Sequence, residues 1–403
     1  MKNSPAGRIG AVVVTVGLGA CGPTPGGDTE GASTAEATTT DGPTTGAPTT
    51  GEPELDCAAV PARFDAPLWH APAAASVGSI ASGPGGDALV LLSGELLRFG
   101  ADGPVWSRSF AAEQVVFAMS TWPDGQVVLG GGEGESGVLM RVDEGGEPAG
   151  SQVIELAEGE AEPIVAVAAA PAGEVFAVAE VFGALGNRLR LDRFDAALGH
   201  VWSANVADSG FTPGLAVDAV GNSYVALAAI VAADGLHNTW ALQVHAFAPD
   251  GGPRWQSEAV QFVADEGVVN VDLGLGDQVY ALAGNRAGFV LQALSPDGAP
   301  AWQIGRDDGE AGEHTLMAAV ASPCGGVFVG GRSEGDGPGV AASLFHIAAD
   351  GTFGPVSTLG PEPPGEGMFE ATMSLAVSPL GRVLAAGTQE LGAGETAWWV
   401  RAH

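Results

Sequence analysis

Two strings in the chain have the form of chemical signatures. Gly331-Arg332-Ser333-Glu334-Gly335 matches Gly-x-Ser-x-Gly, in which a serine on a strand-to-helix turn becomes a nucleophile. The chain continues as Asp336-Gly337-Pro338-Gly339, a loop composition, so no helix follows. Gly132-Glu133-Gly134-Glu135-Ser136-Gly137 matches Gly-x-Gly-x-x-Gly. It precedes a strand-like run instead of a helix, and its two glutamates repel phosphate. Histidines offer general-base or metal-ligand chemistry only when grouped. His237 and His245 are eight apart on opposite sides of a strand pattern, and His346 stands where other repeats carry Arg98, Arg141 or Arg193. No EF-hand-like loop is present. No catalytic residue is assigned, and no metal is identified.

The remaining chemistry belongs to carboxylates. The chain has 48 Asp plus Glu against 15 Lys plus Arg, a formal net charge of −33, which excludes a nucleic-acid groove because phosphate contacts need cations. Acids concentrate in the connections between repeats: Glu158, Glu160 and Glu162; Asp265 and Glu266; Asp307, Asp308 and Glu310. Such a face either solvates an acidic protein or attracts divalent cations, calcium first, or a basic partner. Calcium titration separates the two readings.

Three cysteines are too few for a disulfide scaffold. Lys2 and Arg8 precede an apolar stretch, Ile9 to Gly19, too short for the ~20 residues of a bilayer span but fitting a signal peptide. It ends in Leu18-Gly19-Ala20-Cys21. An aliphatic residue, two small residues and a cysteine resemble the lipobox of bacterial lipoproteins. The resemblance implies cleavage before Cys21, acylation of its thiol and stable membrane attachment. Gly22 in place of an aspartate implies the outer membrane of a Gram-negative cell envelope. The divisions expected are a signal peptide over 1–20, a lipidated cysteine and tether over 21–56, and a folded domain over 57–403. The tether is Thr, Pro, Gly, Ala and Glu with almost nothing apolar to bury, and reads as disordered. Cys57 and Cys324 are either bridged to each other, which an exported compartment permits, or two free thiols.

The elements that hold these residues repeat every ~45–50 residues. Each unit has an apolar run, a Gly-containing turn and a second apolar run, as in Asp124-Gly125-Gln126-Val127-Val128-Leu129 and Gly325-Gly326-Val327-Phe328-Val329. A third run, an Asp-Gly turn and a Trp follow, as in Phe247-Ala248-Pro249-Asp250-Gly251-Gly252-Pro253-Arg254-Trp255. The Asp-Gly pairs suit turns because both residues tolerate positive φ. Seven copies of four strands predict an all-β, seven-bladed β-propeller, with eight blades as the rival count. The last copy stops after its third strand, while Arg63 to His70 carries the turn-plus-Trp pattern with no strand before it, so this N-terminal segment completes the last blade and removes both sheet edges. Arg63-Phe64 and Val400-Arg401 both look like the end of a third strand, which leaves the seam register open.

The Asp-x-x-Gly…Trp ending resembles the repeats of bacterial pyrroloquinoline-quinone-like propellers and of the propeller lipoprotein of outer-membrane assembly. The resemblance implies fold, not activity. A quinone would need polar groups and a stacking Trp converging on the funnel, whereas the first runs are apolar, such as Ile164 to Ala168. The repeat-ending tryptophans therefore read as blade-to-blade packing. The function expected is a lipid-anchored, non-catalytic binding or scaffolding module with a protein or glycan partner. The alternative is an exported quinoprotein-like dehydrogenase or glycan-active hydrolase or lyase.

Overall fold

The computed structural model describes residues 69–72, 77–154, 162–183, 186–208, 211–233, 238–264, 270–276, 278–284, 288–306, 314–334, 340–358, 370–378, 381–392 and 395–402. The segments expected to be a signal peptide, 1–20, and a tether, 21–56, lie outside these residues. Every described element is a strand, and the strands form seven antiparallel sheets. Blades 1 to 7 occupy 77–109, 114–154, 164–207, 211–264, 270–306, 314–358 and 370–402. The chain is a seven-bladed β-propeller, as its repeats predict. Six sheets run from an inner first strand outward in sequence order, and the seventh takes its outer strand from the N-terminal segment.

Alternation and burial explain the sheets. Inner strands, packed on both sides, read as continuous small apolar runs. Ile164–Ala169 is buried throughout, as an all-round buried strand requires. Hydroxyls on these strands tie neighbouring blades. The Ile80 amide donates to Ser374 Oγ at 3.0 Å, joining blade 7 to blade 1, and the Ala169 amide donates to Ser120 Oγ at 2.8 Å. A register shift recurs between first and second strands, at Val116/Ala118 in blade 2 and Leu316/Ala318 in blade 6. These bulges bend the blade and increase its twist. At Gly331 a Cβ would collide with the Thr315 carbonyl. That close approach explains the glycine of the Gly-x-Ser-x-Gly string, which lies within the strand Val327–Glu334.

The Asp-Gly turns differ from expectation in one respect. Only the glycine takes positive φ, as at Gly298 (88°) and Gly351 (85°). The aspartate instead caps the turn, its carboxylate accepting from the amide two residues on, as from Gly252 to Asp250 at 3.0 Å and Thr352 to Asp350 at 2.9 Å. That bond from Thr352 holds the Asp350 carboxyl below its ordinary range.

Blade 4 has its outer strand broken into Pro253–Gln256 and Val260–Ala264, both paired to Asn238–Phe247. Ser257 fills the break. Its amide donates to the Val244 carbonyl at 2.8 Å, and its Oγ accepts from the Val244 amide at 3.0 Å.

The N-terminal strand Trp69–Pro72 is the outer strand of blade 7, with Trp69 opposite Val400 and Pro72 opposite Ala397. The ring closes as predicted, but in a shifted register. Arg98, Arg193, Ala246 and Ala293 lie opposite the tryptophans of blades 1, 3, 4 and 5. The same place in blade 7, judged by pairing with the second strand, belongs to Ala402 opposite Leu384. Trp69 therefore sits two residues from the slot of the repeat-ending tryptophans. Arg401 is buried against the Trp399 ring, 5.5 Å away.

Candidate functional site

The connections expected to form an acidic face fall mostly outside the described residues. Glu158, Glu160, Asp265, Glu266, Asp307, Asp308 and Glu310 all do. Glu162 is described, and it is not at an open rim. It is fully buried, its amide donates to the Glu135 carbonyl at 2.8 Å, and its carboxylate pairs with Arg190. Cys324 is disulfide-bonded, and its partner lies outside the described residues, where Cys21 and Cys57 both lie. His346 bonds the Gly325 carbonyl at 2.9 Å and packs at a tilt against Phe328, ring centres 5.0 Å apart, a strand-joining role. His237 lies outside the described residues, and burial holds His245 below its ordinary pKa. No group of three or more metal-ligating side chains occurs among the described residues.

The densest polar group in blade 3 includes residues that were not singled out from sequence. Arg190 and Asp192 share one face of the third strand, Gly186–Phe194. Arg190 Nε donates to both Asp192 oxygens at 3.0 and 2.9 Å, and its Nη2 reaches Glu162. His200 and Ser203 come from the adjacent outer strand, His200–Ala207. Ser203 Oγ donates to Asp192 Oδ1 at 2.5 Å. His200 Nε2 lies 2.9 Å from Ser203 Oγ and 3.3 Å from Asp192 Oδ1.

These residue types are those of a nucleophilic triad, but the wiring is different. A triad needs the imidazole between acid and hydroxyl, one ring nitrogen on each. Here one nitrogen faces both, and the aspartate contacts the serine directly. Asp192 is fully buried and bonded to Arg190, so its charge is spent locking the third and outer strands together. Removing one partner of such a buried pair costs about 3–5 kcal/mol because the other charge is left uncompensated. The sequence signal was the alternation Arg188-Leu189-Arg190-Leu191-Asp192, charged on one strand face.

Charged and aromatic groups also clasp successive blades. Trp106 Nε1 and Arg98 Nη1 both donate to the Glu144 carbonyl of blade 2, at 3.0 and 2.7 Å. Trp202 and Arg193 do the same to the Pro249 carbonyl of blade 4, at 2.9 and 2.6 Å. Trp255 and Trp302 reach Pro296 and Ala349 at 2.9 and 2.7 Å. A Cβ at Gly298 would meet the Trp255 ring at 2.6 Å, so the turn glycine is also the dock for the preceding blade. Blade 2 has Gly150 in the tryptophan slot, opposite Arg141. In the blade 3 turn it faces, a buried Leu198 with φ of 65° replaces the docking glycine. The tryptophans are thus packing groups, as expected.

Neither a protein-family model nor a curated protein matches the sequence. Solved structures are similar in outline. A protein from Lactobacillus plantarum is 12% identical with a TM-score of 0.48, covering 77% of this chain and 94% of its own. A protein of unknown function from Dyadobacter fermentans is 11% identical with a TM-score of 0.43, covering 84% and 96%. YCF48 bound to a D1 peptide is 10% identical with a TM-score of 0.45, covering 82% and 95%. Likenesses this distant identify neither a family nor an activity.

Proposed function

We propose that the chain is a lipid-anchored cell-envelope propeller that acts as a non-catalytic binding or scaffolding module. Cys21 carries the lipid, residues 21–56 form the tether, and a Cys57–Cys324 disulfide staples the closing strand to the ring. The partner is a protein or glycan. The observation that carries the non-catalytic reading is the wiring of Asp192, His200 and Ser203, whose polar groups satisfy one another and join two strands. A fluorophosphonate probe, which labels activated serines, tests it on the full chain. The expected result is no label at Ser203. A label abolished by Ser203→Ala would replace this reading with a hydrolase. Palmitate incorporation that survives Cys21→Ser would remove the anchor from the proposal.

A further inference from the structure

The outer strand of blade 2, Pro148–Ile154, pairs only with the third strand of its own blade. Residues 148–153 are exposed, and none carries a charge. An uncharged, exposed outer strand offers its outward backbone groups to another strand, and the Val153 carbonyl is covered only by the Gln152 side chain, which donates to it at 2.7 Å. Alongside it runs an open groove of about 510 Å³ between blades 1 and 2. Phe110 and Met140, both half-buried against the core, provide an apolar wall, and Gln114 and Arg108 provide polar groups. Pro148, Ala149, Gly150 and Ser151 of this strand line the groove.

The charge of the groove is opposite to that of the molecule. Carboxylates outnumber cations 48 to 15 in the chain, yet no acidic residue lines the groove. Arg108 projects from blade 1 into it. Its one hydrogen bond is a long one, 3.3 Å to the Gly146 carbonyl, and no carboxylate among the described residues pairs with it. Arg98, Arg190 and Arg193 each hold a carboxylate, whereas Arg141, which also lines the groove, is taken up by the Ala196 carbonyl and Gln126 Oε1. An arginine kept from the chain's own acids, beside an open strand edge and an apolar wall, matches an external carboxylate.

We infer that this groove docks an extended peptide segment of a partner protein. The segment adds as a strand to Pro148–Ile154, with one carboxylate on Arg108 and an apolar side chain against Phe110 and Met140. The carboxylate is isolated in an otherwise neutral segment, because a net charge of −33 repels an acidic run. The inference rests on the binding-module reading and names the chemistry of its partner.

The test uses the full chain and a capped octapeptide of alternating Thr and Val with one central Glu, compared with its Gln counterpart. Fluorescence anisotropy reads affinity, and hydrogen exchange reads which amides are covered. The Glu peptide is expected to bind about tenfold more tightly than the Gln peptide and to slow exchange in 148–154. Arg108→Gln is expected to bring both peptides to the Gln level, and Arg108→Lys to keep part of the preference. Absence of both binding and protection overturns the inference. Binding that ignores Arg108 and protects another blade also overturns it, while leaving the binding-module reading standing.

Discussion

Burial sets the behaviour of single charged residues in this ring. Glu180 lies on the second strand of blade 3, where desolvation raises its pKa above 4.5. The folded state therefore holds its proton at pH values where the unfolded chain has lost it. Its contribution to stability is full below about pH 4.5 and falls as pH rises through the folded value. Glu180→Gln is expected to raise the melting temperature at pH 7, with the gain fading toward pH 4, as read by melting at both pH values. Glu162 makes the complementary point about reading a sequence. In the run Glu155 to Glu162 every acid looks alike. The one that is described is buried because Arg190, 28 positions away, meets it across the blade. No local pattern marks that difference. Only Asp192 was marked by an alternation of charge, and nothing marked His200 or Ser203, since their meeting depends on the pairing of Asp192 with Ser203.

At the scale of elements, the repeat carries most of the information. Strand runs, turn glycines and docking tryptophans recur in the sequence because each blade must present the same surfaces to its neighbours. The expectation of tryptophan packing is borne out by the bonds from Trp106, Trp202, Trp255 and Trp302 to the next blade. Trp255→Ala removes the bond to Pro296, the cover over Gly298 and the contact with Tyr224 at 5.8 Å. Urea denaturation is expected to show a loss of about 2–4 kcal/mol. Trp255→Phe should lose about 1 kcal/mol, the share of the hydrogen bond. What the repeat does not carry is register where it is broken. Side-chain alternation fixes which face a residue occupies, not how far along the neighbour it pairs, and a slip of two keeps every face. That is why the strand at Trp69 was foreseen but its place opposite Val400 was not. The break at Ser257 escaped for a similar reason. A serine in a strand-like run gives no sign that its hydroxyl will stand in for a ladder bond.

For the whole molecule, closure is the decisive event, and it depends on a short strand. Trp69–Pro72 contributes four residues to blade 7, whereas the third strand it meets has eight. The place opposite Leu384 that holds an arginine in blades 1, 2 and 3 is Ala402, so the arginine clasp is missing where blade 7 meets blade 1. The proposed Cys57–Cys324 bond supplies a covalent substitute upstream of the closing strand. Cys57→Ser and Cys324→Ser should each lower stability by the same amount, about 2–5 kcal/mol, and should not add in the double variant. Cys21→Ser should leave the melting temperature unchanged. Equal loss from Cys21→Ser would transfer the bond to that cysteine.

The pairing of Trp69 with Val400 also sets a timetable. These residues meet across almost the entire folded chain, the most costly kind of contact to form early. A chain synthesised from its N-terminus delivers its closing strand long before the strand it must join. Until Glu395–Ala402 arrives, the first-made segment has no partner and blade 7 lacks two of its four strands. The ring therefore cannot close before the end of the chain is free to pair. Its final rate-setting step belongs to the moment the C-terminal strand is free, and losing Glu395–Ala402 would leave two open sheet edges.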